Sequence, residues 1–259
     1  MTTTTPEGYL VESPWDGRRT LAVFLTWLAG GIVGGFLASA IGFDVLDSAA
    51  GLAVVIAAQS AAALLAVTLY SQSRGTGSLV KDVGLRVEVG HWYGLLLGFV
   101  LQWAVGLVLL PLVELMNIDS EPQAVSDLAA GTLDASGRTL LFVSFVIAAP
   151  VVEEVLFRGV LLGWLSKRMK RPVAIVTSAA IFGLTHWEGP DVLLPVIGLF
   201  LIGIVLAYVV TRYGNLSMAI LMHAGINLLA FLVLVFEDRI LEWIDELESS
   251  VGLLVGWLF

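Results

Sequence analysis

Residues Thr139 to Ser166 read TLLFVSFVIAAPVVEEVLFRGVLLGWLS. This stretch is long and apolar enough for a membrane-spanning helix, because about 20 apolar residues cross the hydrocarbon core of a bilayer. Its middle nevertheless carries Glu153, Glu154 and Arg158. Charged side chains at that depth are costly unless they are paired or hydrated, so by default they mark a functional site.

The composition of the whole chain is that of a polytopic membrane protein. Of 259 residues, 58% are hydrophobic and only 14% are charged, and the mean hydropathy is +0.93. A soluble domain is about 45–50% apolar and about 25% charged. The chain has no cysteine, which excludes disulfides, thiolate metal ligands and a cysteine nucleophile. Its net charge of -9 argues against nucleic acid as a partner.

Hydropathy predicts an all-α fold, a transmembrane helical bundle of about seven spans. The polar stretch before Leu21 lacks the pattern of a signal peptide, so we expect Leu21 to begin the first span. The predicted spans are 21–43, 48–70, 92–113, 139–166, 173–187, 192–212 and 216–236. The first two are rich in glycine and alanine, which favours close helix packing in lipid.

Three parts of the chain are expected to differ in their relation to the membrane. Residues 1–20 are predicted to form a cytoplasmic tail, residues 21–236 the bundle, and residues 237–259 an amphipathic segment at the membrane interface. With the N-terminus inside, ten lysines and arginines fall in inner loops and two in outer loops. We therefore expect a multi-pass protein of the cell membrane with a cytoplasmic N-terminus.

Two later spans carry the other unusual polar residues. The fifth span holds Phe182 and His186, and the last holds His223 and Asn227. The members of each pair are four residues apart, so they lie on one face of a helix. At a rise of about 1.5 Å per residue, Glu153, His186 and Asn227 all lie roughly 18–21 Å from the inner face. Three segments should therefore bring polar groups to one depth.

Helical spacing separates the two glutamates. Glu154 and Arg158 are four residues apart and can pair along the helix. Glu153 is rotated from its neighbour by about 100°, so it can face the interior of the bundle. Pro150, one turn earlier, is expected to loosen the backbone beside Glu153.

These residue types are the ones that hydrolysis requires. A carboxylate such as Glu153, held near His186, could take a proton from water. His223 and the amide of Asn227 could donate hydrogen bonds to a developing oxyanion. The arrangement therefore favours an enzyme that activates water inside the membrane.

In their order along the chain, the three groups resemble the motifs of a known family. Glu153-Glu154-x-x-x-Arg158, Phe182-x-x-x-His186 and His223-x-x-x-Asn227 are similar to the motifs of the CAAX prenyl endopeptidase and bacteriocin-processing (CPBP, Abi-like) family, the type II CAAX proteases. The resemblance covers about residues 138–232 and none of the first three spans. It implies an intramembrane endopeptidase with a helical-bundle fold. The roles that it implies are water activation by Glu153 and His186, an oxyanion site of His223 and Asn227, and support from Glu154, Arg158 and Phe182.

A metal-dependent mechanism is the alternative to direct activation by the carboxylate. Glu153, His186 and His223 could bind zinc or another divalent metal with one position left open. The two histidines come from separate helices, however, and no His-Glu-x-x-His pattern fixes the ligands. We favour a mechanism without metal or another cofactor.

Three classes of function stay open. The first is an endopeptidase that cleaves a membrane-associated peptide or protein, with the lipid bilayer as its surroundings. The second is a non-proteolytic membrane adaptor or bacteriocin-immunity protein with the same motifs. The third is a transporter or proton pathway, which would more naturally show broken helices and polar residues along several spans. Prenylation of a substrate does not follow from the resemblance.

Overall fold

The computed structural model describes residues 13–45, 48–116 and 134–236, together with Arg239, Glu242 and Trp243. Within these residues the chain is helical and contains no strand. Apart from those three residues, the amphipathic segment predicted at 237–259 lies outside the described part of the chain. The architecture rests on the helices α1 (Gly17–Ala40), α2 (Ala49–Arg74), α3 (Gly94–Met116), α4 (Ala135–Leu165), α5 (Arg171–Leu184), α6 (Leu193–Tyr213) and α7 (Leu216–Val235).

The predicted helical bundle of about seven spans is confirmed. In the described ranges, six helices are long and apolar enough to cross a membrane, and α5, with 14 residues, is the short one. Helix α5 ends at Leu184, three residues before the end of the predicted fifth span, 173–187. His186 therefore lies in the turn that follows the helix, where its backbone N–H donates to the carbonyl of Gly183.

Helices α1 and α2 form a hairpin whose contact depends on glycine. A Cβ atom on Gly30 would lie 2.6 Å from the Cβ of Ala62, and one on Gly34 would lie 2.7 Å from the Cα of Val55. Real Cβ atoms do not approach other atoms so closely, so only glycine permits this spacing. The abundance of glycine and alanine in these spans thus serves close packing.

Helix α4 occupies the centre of the bundle and contacts α1, α2, α5, α6 and α7. It is α-helical over Ala135–Leu141, Ala149–Glu154 and Leu162–Leu165, and π-helical over Phe142–Ala148 and Val155–Leu161. Pro150 is the second residue after the first π-helical segment. Proline has no N–H to donate to a carbonyl one turn earlier, which gives a physical reason for the wider turn at this place.

The chain before α1 packs against the end of α4. Helix α1 begins at Gly17, inside the segment predicted as a tail. The indole N–H of Trp15, a buried side chain, donates to the carbonyl of Asp82 at 3.0 Å. The ammonium group of Lys167 donates to the carbonyl of Ser13 at 2.7 Å. These contacts fix the end of the helix that carries both glutamates.

Candidate active site

A cavity of about 550 Å³ lies between the helices and contains the residues expected to act on water. Helices α1, α2, α4, α6 and α7 contribute to its walls, and the turn after α5 supplies one side chain. Glu153, His186, His223 and Asn227 all line it. Most of the remaining wall is apolar and includes Trp27, Ile56, Phe145, Leu199, Phe231 and Leu234. The volume is within the range of ligand-binding pockets, about 300–1,000 Å³.

The two neighbouring glutamates have different surroundings. Glu154 is fully buried, and its Oε1 accepts hydrogen bonds from Nη1 of Arg158 and Nδ1 of His223, both at 2.9 Å. The side chain of Glu153 keeps 18% of its surface exposed and lines the cavity. Its Oε2 lies 3.8 Å from Nε2 of His223. The rotation of about 100° between consecutive helical residues thus separates a structural carboxylate from an accessible one.

Arg158 joins four helices at the centre of the bundle. Besides its bond to Glu154, its Nη2 donates to the carbonyl of Gly203 on α6 at 3.4 Å. Its guanidinium group lies over the ring of Phe182 on α5, 4.4 Å from the ring centroid. The same ring contacts the imidazole of His223 on α7, with centroids 5.8 Å apart. Phe182 therefore packs against both the buried cation and the histidine.

The hydrogen bonds of the two histidines show which ring nitrogen carries the proton in each imidazole. Nδ1 of His186 lies 2.9 Å from the carbonyl of Phe182, and a carbonyl can only accept, so Nδ1 carries the proton. Nδ1 of His223 is bonded to Oε1 of Glu154, which already accepts from Arg158. In each neutral imidazole, Nε2 is then the proton acceptor. His223 can donate from Nε2 only as an imidazolium.

Both π-helical segments of α4 have a carbonyl that accepts a hydrogen bond from a side chain of another helix. Nδ2 of Asn227 donates to the carbonyl of Phe145 at 2.7 Å. Oγ of Ser178 on α5 donates to the carbonyl of Phe157 at 3.2 Å. Asn227 is thereby held at the cavity, with its second N–H available to a bound molecule.

The start of α7 is fixed by Asn215, which caps the helix. Its Oδ1 accepts from the backbone N–H groups of Ser217 and Arg86, both at 3.0 Å. Its Nδ2 donates to Oε1 of Glu88 at 2.9 Å. Nδ1 of His91 is hydrogen-bonded to the hydroxyl of Ser217. These contacts set the position from which α7 presents His223 and Asn227.

Comparison with known proteins agrees with the motifs. Residues 135–229 match the family model described as Type II CAAX prenyl endopeptidase Rce1-like. The resemblance to type II CAAX proteases is confirmed. The matched segment contains every residue of the three motifs and leaves out α1, α2 and α3.

A curated relative is similar over part of its length. It is the Bacillus subtilis (strain 168) protein named "Putative membrane peptidase YdiL", which is 24% identical over 120 residues. Those residues are 46% of this chain and 47% of that protein, so the chain spans about half of the relative's length. No solved structure matches the chain.

Three cavity residues have side chains that can bind a metal ion. In the residues that the structure describes, no three or more His, Cys, Asp or Glu side chains are grouped so that they could hold a metal ion. Oε2 of Glu153 and Nε2 of His223 lie 3.8 Å apart, and His186 lines the same cavity. The proton on Nδ1 of each histidine leaves Nε2 as the only possible ligand atom.

Sequence reasoning missed the contribution of α2 to the cavity. Gln59 and Ser60 line it, although the first spans were expected to serve packing alone. The available signal was a pair of polar residues in the middle of an alanine- and valine-rich span. Spacing along α2 could not reveal that these side chains line the cavity, because the neighbours of a helix are decided by tertiary contacts.

Proposed function

We propose that this multi-pass membrane protein is an intramembrane endopeptidase that cleaves a membrane-associated peptide or protein. The observation that carries the proposal is the accessible carboxylate of Glu153 in the same apolar cavity as His186, His223 and Asn227. Charged and polar groups are rarely placed together within a bilayer without a function. The similarity of residues 135–229 to membrane peptidases supports the same conclusion.

In the proposed mechanism, water attacks the carbonyl carbon of the scissile peptide bond. Glu153 takes one proton from the water, and Nε2 of His186 accepts a hydrogen bond from the other. The water oxygen bonds to the carbonyl carbon, whose oxygen becomes an oxyanion. Glu153 then transfers its proton to the leaving nitrogen as the carbon–nitrogen bond breaks. No step requires a metal or another cofactor.

The oxyanion is the part of the reaction for which His223 and Asn227 are suited. Asn227 has one amide N–H beyond the bond to Phe145. His223, as an imidazolium, would donate from Nε2 while Nδ1 stays bonded to Glu154. Such donors act most strongly where water is excluded, as in this largely apolar cavity.

The test is turnover of a peptide panel by purified protein in detergent. Glu153→Gln keeps the shape of the side chain and removes the base, so hydrolysis should fall to near background while the protein still folds. His186→Ala should have nearly the same effect. Glu188→Gln is the matched control, because Glu188 is an exposed glutamate in the loop after α5.

Two results would contradict the proposal. Wild-type turnover by Glu153→Gln would mean that another group activates the water. A folded wild-type protein that cleaves no peptide of the panel would favour a non-proteolytic membrane adaptor or bacteriocin-immunity protein.

We also propose that the protein lies in the cell membrane with its N-terminus in the cytoplasm. Four basic residues at the connection from α4 to the start of α5 support this orientation: Lys167, Arg168, Lys170 and Arg171. Because the chain has no cysteine, single cysteines introduced at 167–171 can be labelled specifically. They should react with a membrane-impermeant reagent only after the cells are opened. Labelling in intact cells would reverse the orientation.

A further inference from the structure

Two polar side chains of the cavity have no part in the proposed hydrolysis. Gln59 and Ser60 lie next to each other on α2 and line the cavity with Glu153 and His186. Helix α2 lies outside the segment that matches the protease family, residues 135–229. The inference that follows rests on the proposed function and concerns how the same cavity holds its substrate.

Gln59 carries an amide whose hydrogen-bonding capacity is unused within the described residues. It lies in the middle of a helix whose neighbouring residues are mostly alanine, valine and leucine. Among the described residues, no hydrogen bond joins the side chain of Gln59 or of Ser60 to another residue. By contrast, Thr68 on the same helix donates back to the carbonyl of Leu64 at 2.7 Å. No side-chain atom of Gln59 or Ser60 is among the fully buried polar atoms that lack a partner, so both groups are accessible and can bind a molecule that enters the cavity.

The amide of Gln59 occupies space that α1 leaves open. A Cβ atom on Gly31 would lie 3.3 Å from Nε2 of Gln59, a contact tighter than most in proteins. On either side of this position, Gly30 and Gly34 bring α1 against the backbone of α2. Gln59 is therefore supported at the cavity by the close packing of the hairpin.

A peptide cleaved inside a membrane needs such a group. To expose the scissile bond, the substrate must be extended there, and its backbone N–H and C=O groups lose their helical partners. No water is present in the hydrocarbon core to replace them. A glutamine side chain has both donors and an acceptor, which match the donor and acceptor of an extended main chain.

We propose that Gln59 binds the main chain of an extended, apolar peptide segment beside the scissile bond. The amide supplies hydrogen bonds to the backbone, and the hydroxyl of Ser60 offers a further one from the same helix. The apolar walls, including Ile56 on α2 and Phe231 on α7, receive side chains of the segment. Helix α2 thus serves as a substrate-binding helix, and α4, α5 and α7 supply the chemistry.

The first test is the kinetics of Gln59→Leu, which keeps a similar size and removes the amide. The kcat/KM for a peptide that the wild type cleaves should fall about tenfold, mainly through a higher KM, as expected when a hydrogen bond to substrate is lost. Gln102→Leu is the matched control, because Gln102 is a glutamine of another span, α3, and does not line the cavity. It should leave the kinetics unchanged. Equal kinetics of the Gln59→Leu and Gln102→Leu proteins would overturn the proposal.

The second test measures binding and does not depend on cleavage. Gln59→Cys and Gln102→Cys each introduce one cysteine into a chain that has none. The probe is a lysine-flanked leucine/alanine peptide of about 20 residues, long enough to cross a bilayer, with one cysteine at its centre between glycines, which weaken the helix there. Disulfide formation in liposomes should be rapid at position 59 and at background level at position 102. Equal cross-linking at the two positions would overturn the proposal even if the wild type cleaves peptides.

The two tests separate this inference from the proposed function. Cross-linking at position 59 by a protein that cleaves nothing would support the peptide-binding cavity and remove the endopeptidase. If the wild type cleaves peptides, but Gln59→Leu has no kinetic effect and position 59 does not cross-link, the endopeptidase is supported and the role of Gln59 is overturned. Size-exclusion chromatography of each variant shows whether it is folded, and the cross-linking result stands if Gln59→Leu does not fold.

Discussion

The core of α4–α7 and the hairpin of α1 and α2 are stabilised by different kinds of contact. In the most apolar part of α4, 50% of the residues are buried, compared with 22% in α1 and 17% in α2. The buried part of the core contains the hydrogen-bonded group of Glu154, Arg158 and His223. The helices of the hairpin are mostly exposed, and they contact each other at glycines of α1, which have no side chain. Hydrogen bonds between charged and polar side chains hold the helices of the core in place, whereas close packing at glycines holds the hairpin.

The difference teaches how each region can contribute to one cavity. A hydrogen-bond network holds side chains in defined directions, which the proposed catalytic groups require. Close packing of small residues instead sets the distance between helices and leaves other side chains free to face a ligand. Gln59 is such a side chain, since it faces the cavity beside the glycines of α1.

The largest effect on stability is expected from Arg158→Ala in the core. The change leaves Glu154 buried without its cation, and breaking a buried ion pair costs about 3–5 kcal/mol. We expect a much lower yield of folded protein and a lower midpoint of thermal aggregation in detergent. Arg138→Ala is the control, because Arg138 is exposed in the first turns of α4. If both variants are equally stable, the buried network does not fix the core.

Asn227→Ala should have the next largest effect, now on the rate. Loss of one oxyanion donor typically lowers kcat by about 10²–10³. The same change also removes the bond to the carbonyl of Phe145. Turnover must therefore be compared at equal amounts of folded protein.

Ser178→Ala is the matched control for Asn227→Ala. It removes the corresponding bond to the π-helical carbonyl of Phe157, but Ser178 does not line the cavity. The carbonyl of Phe157 also accepts from the backbone N–H of Leu162 and keeps that partner, so we expect a loss of stability of only about 0.5–1.5 kcal/mol, with turnover retained. If both variants lose turnover equally, Asn227 acts by fixing α4 and not as an oxyanion donor.

The smallest effect is expected in the hairpin, where substitutions of two adjacent glycines should differ in their effect on stability. A Cβ atom on Gly34 would meet the backbone of Val55 at 2.7 Å, whereas one on Gly35 would have no atom within 4 Å. Gly34→Ala should therefore lower the free energy of unfolding by about 1–3 kcal/mol, the usual cost of overpacking. Gly35→Ala should be neutral. The midpoint of thermal aggregation in detergent measures the stability of both variants. Equal midpoints would show that close contact at Gly34 does not stabilise the hairpin.

The sequence by itself determined the class of the protein and the candidate residues. Apolar runs long enough to cross a bilayer follow from composition, and the charges within one of them stand out locally. The division between Glu153 and Glu154 also follows from the sequence, because the rotation per residue is a property of any α-helix. The spacing of Glu154 and Arg158 likewise predicted their ion pair, which the structure contains.

Contacts between helices could not be predicted from the sequence and were found in the structure. The tertiary structure placed His223 against Glu154, 69 positions away in the sequence, and so determined which nitrogen of the imidazole carries the proton. It bonded Asn227 to a π-helical carbonyl of α4 and brought Gln59 of α2 into the cavity wall. The physical reason is that helical periodicity describes the faces of one helix, whereas the neighbour of each face depends on packing between distant segments.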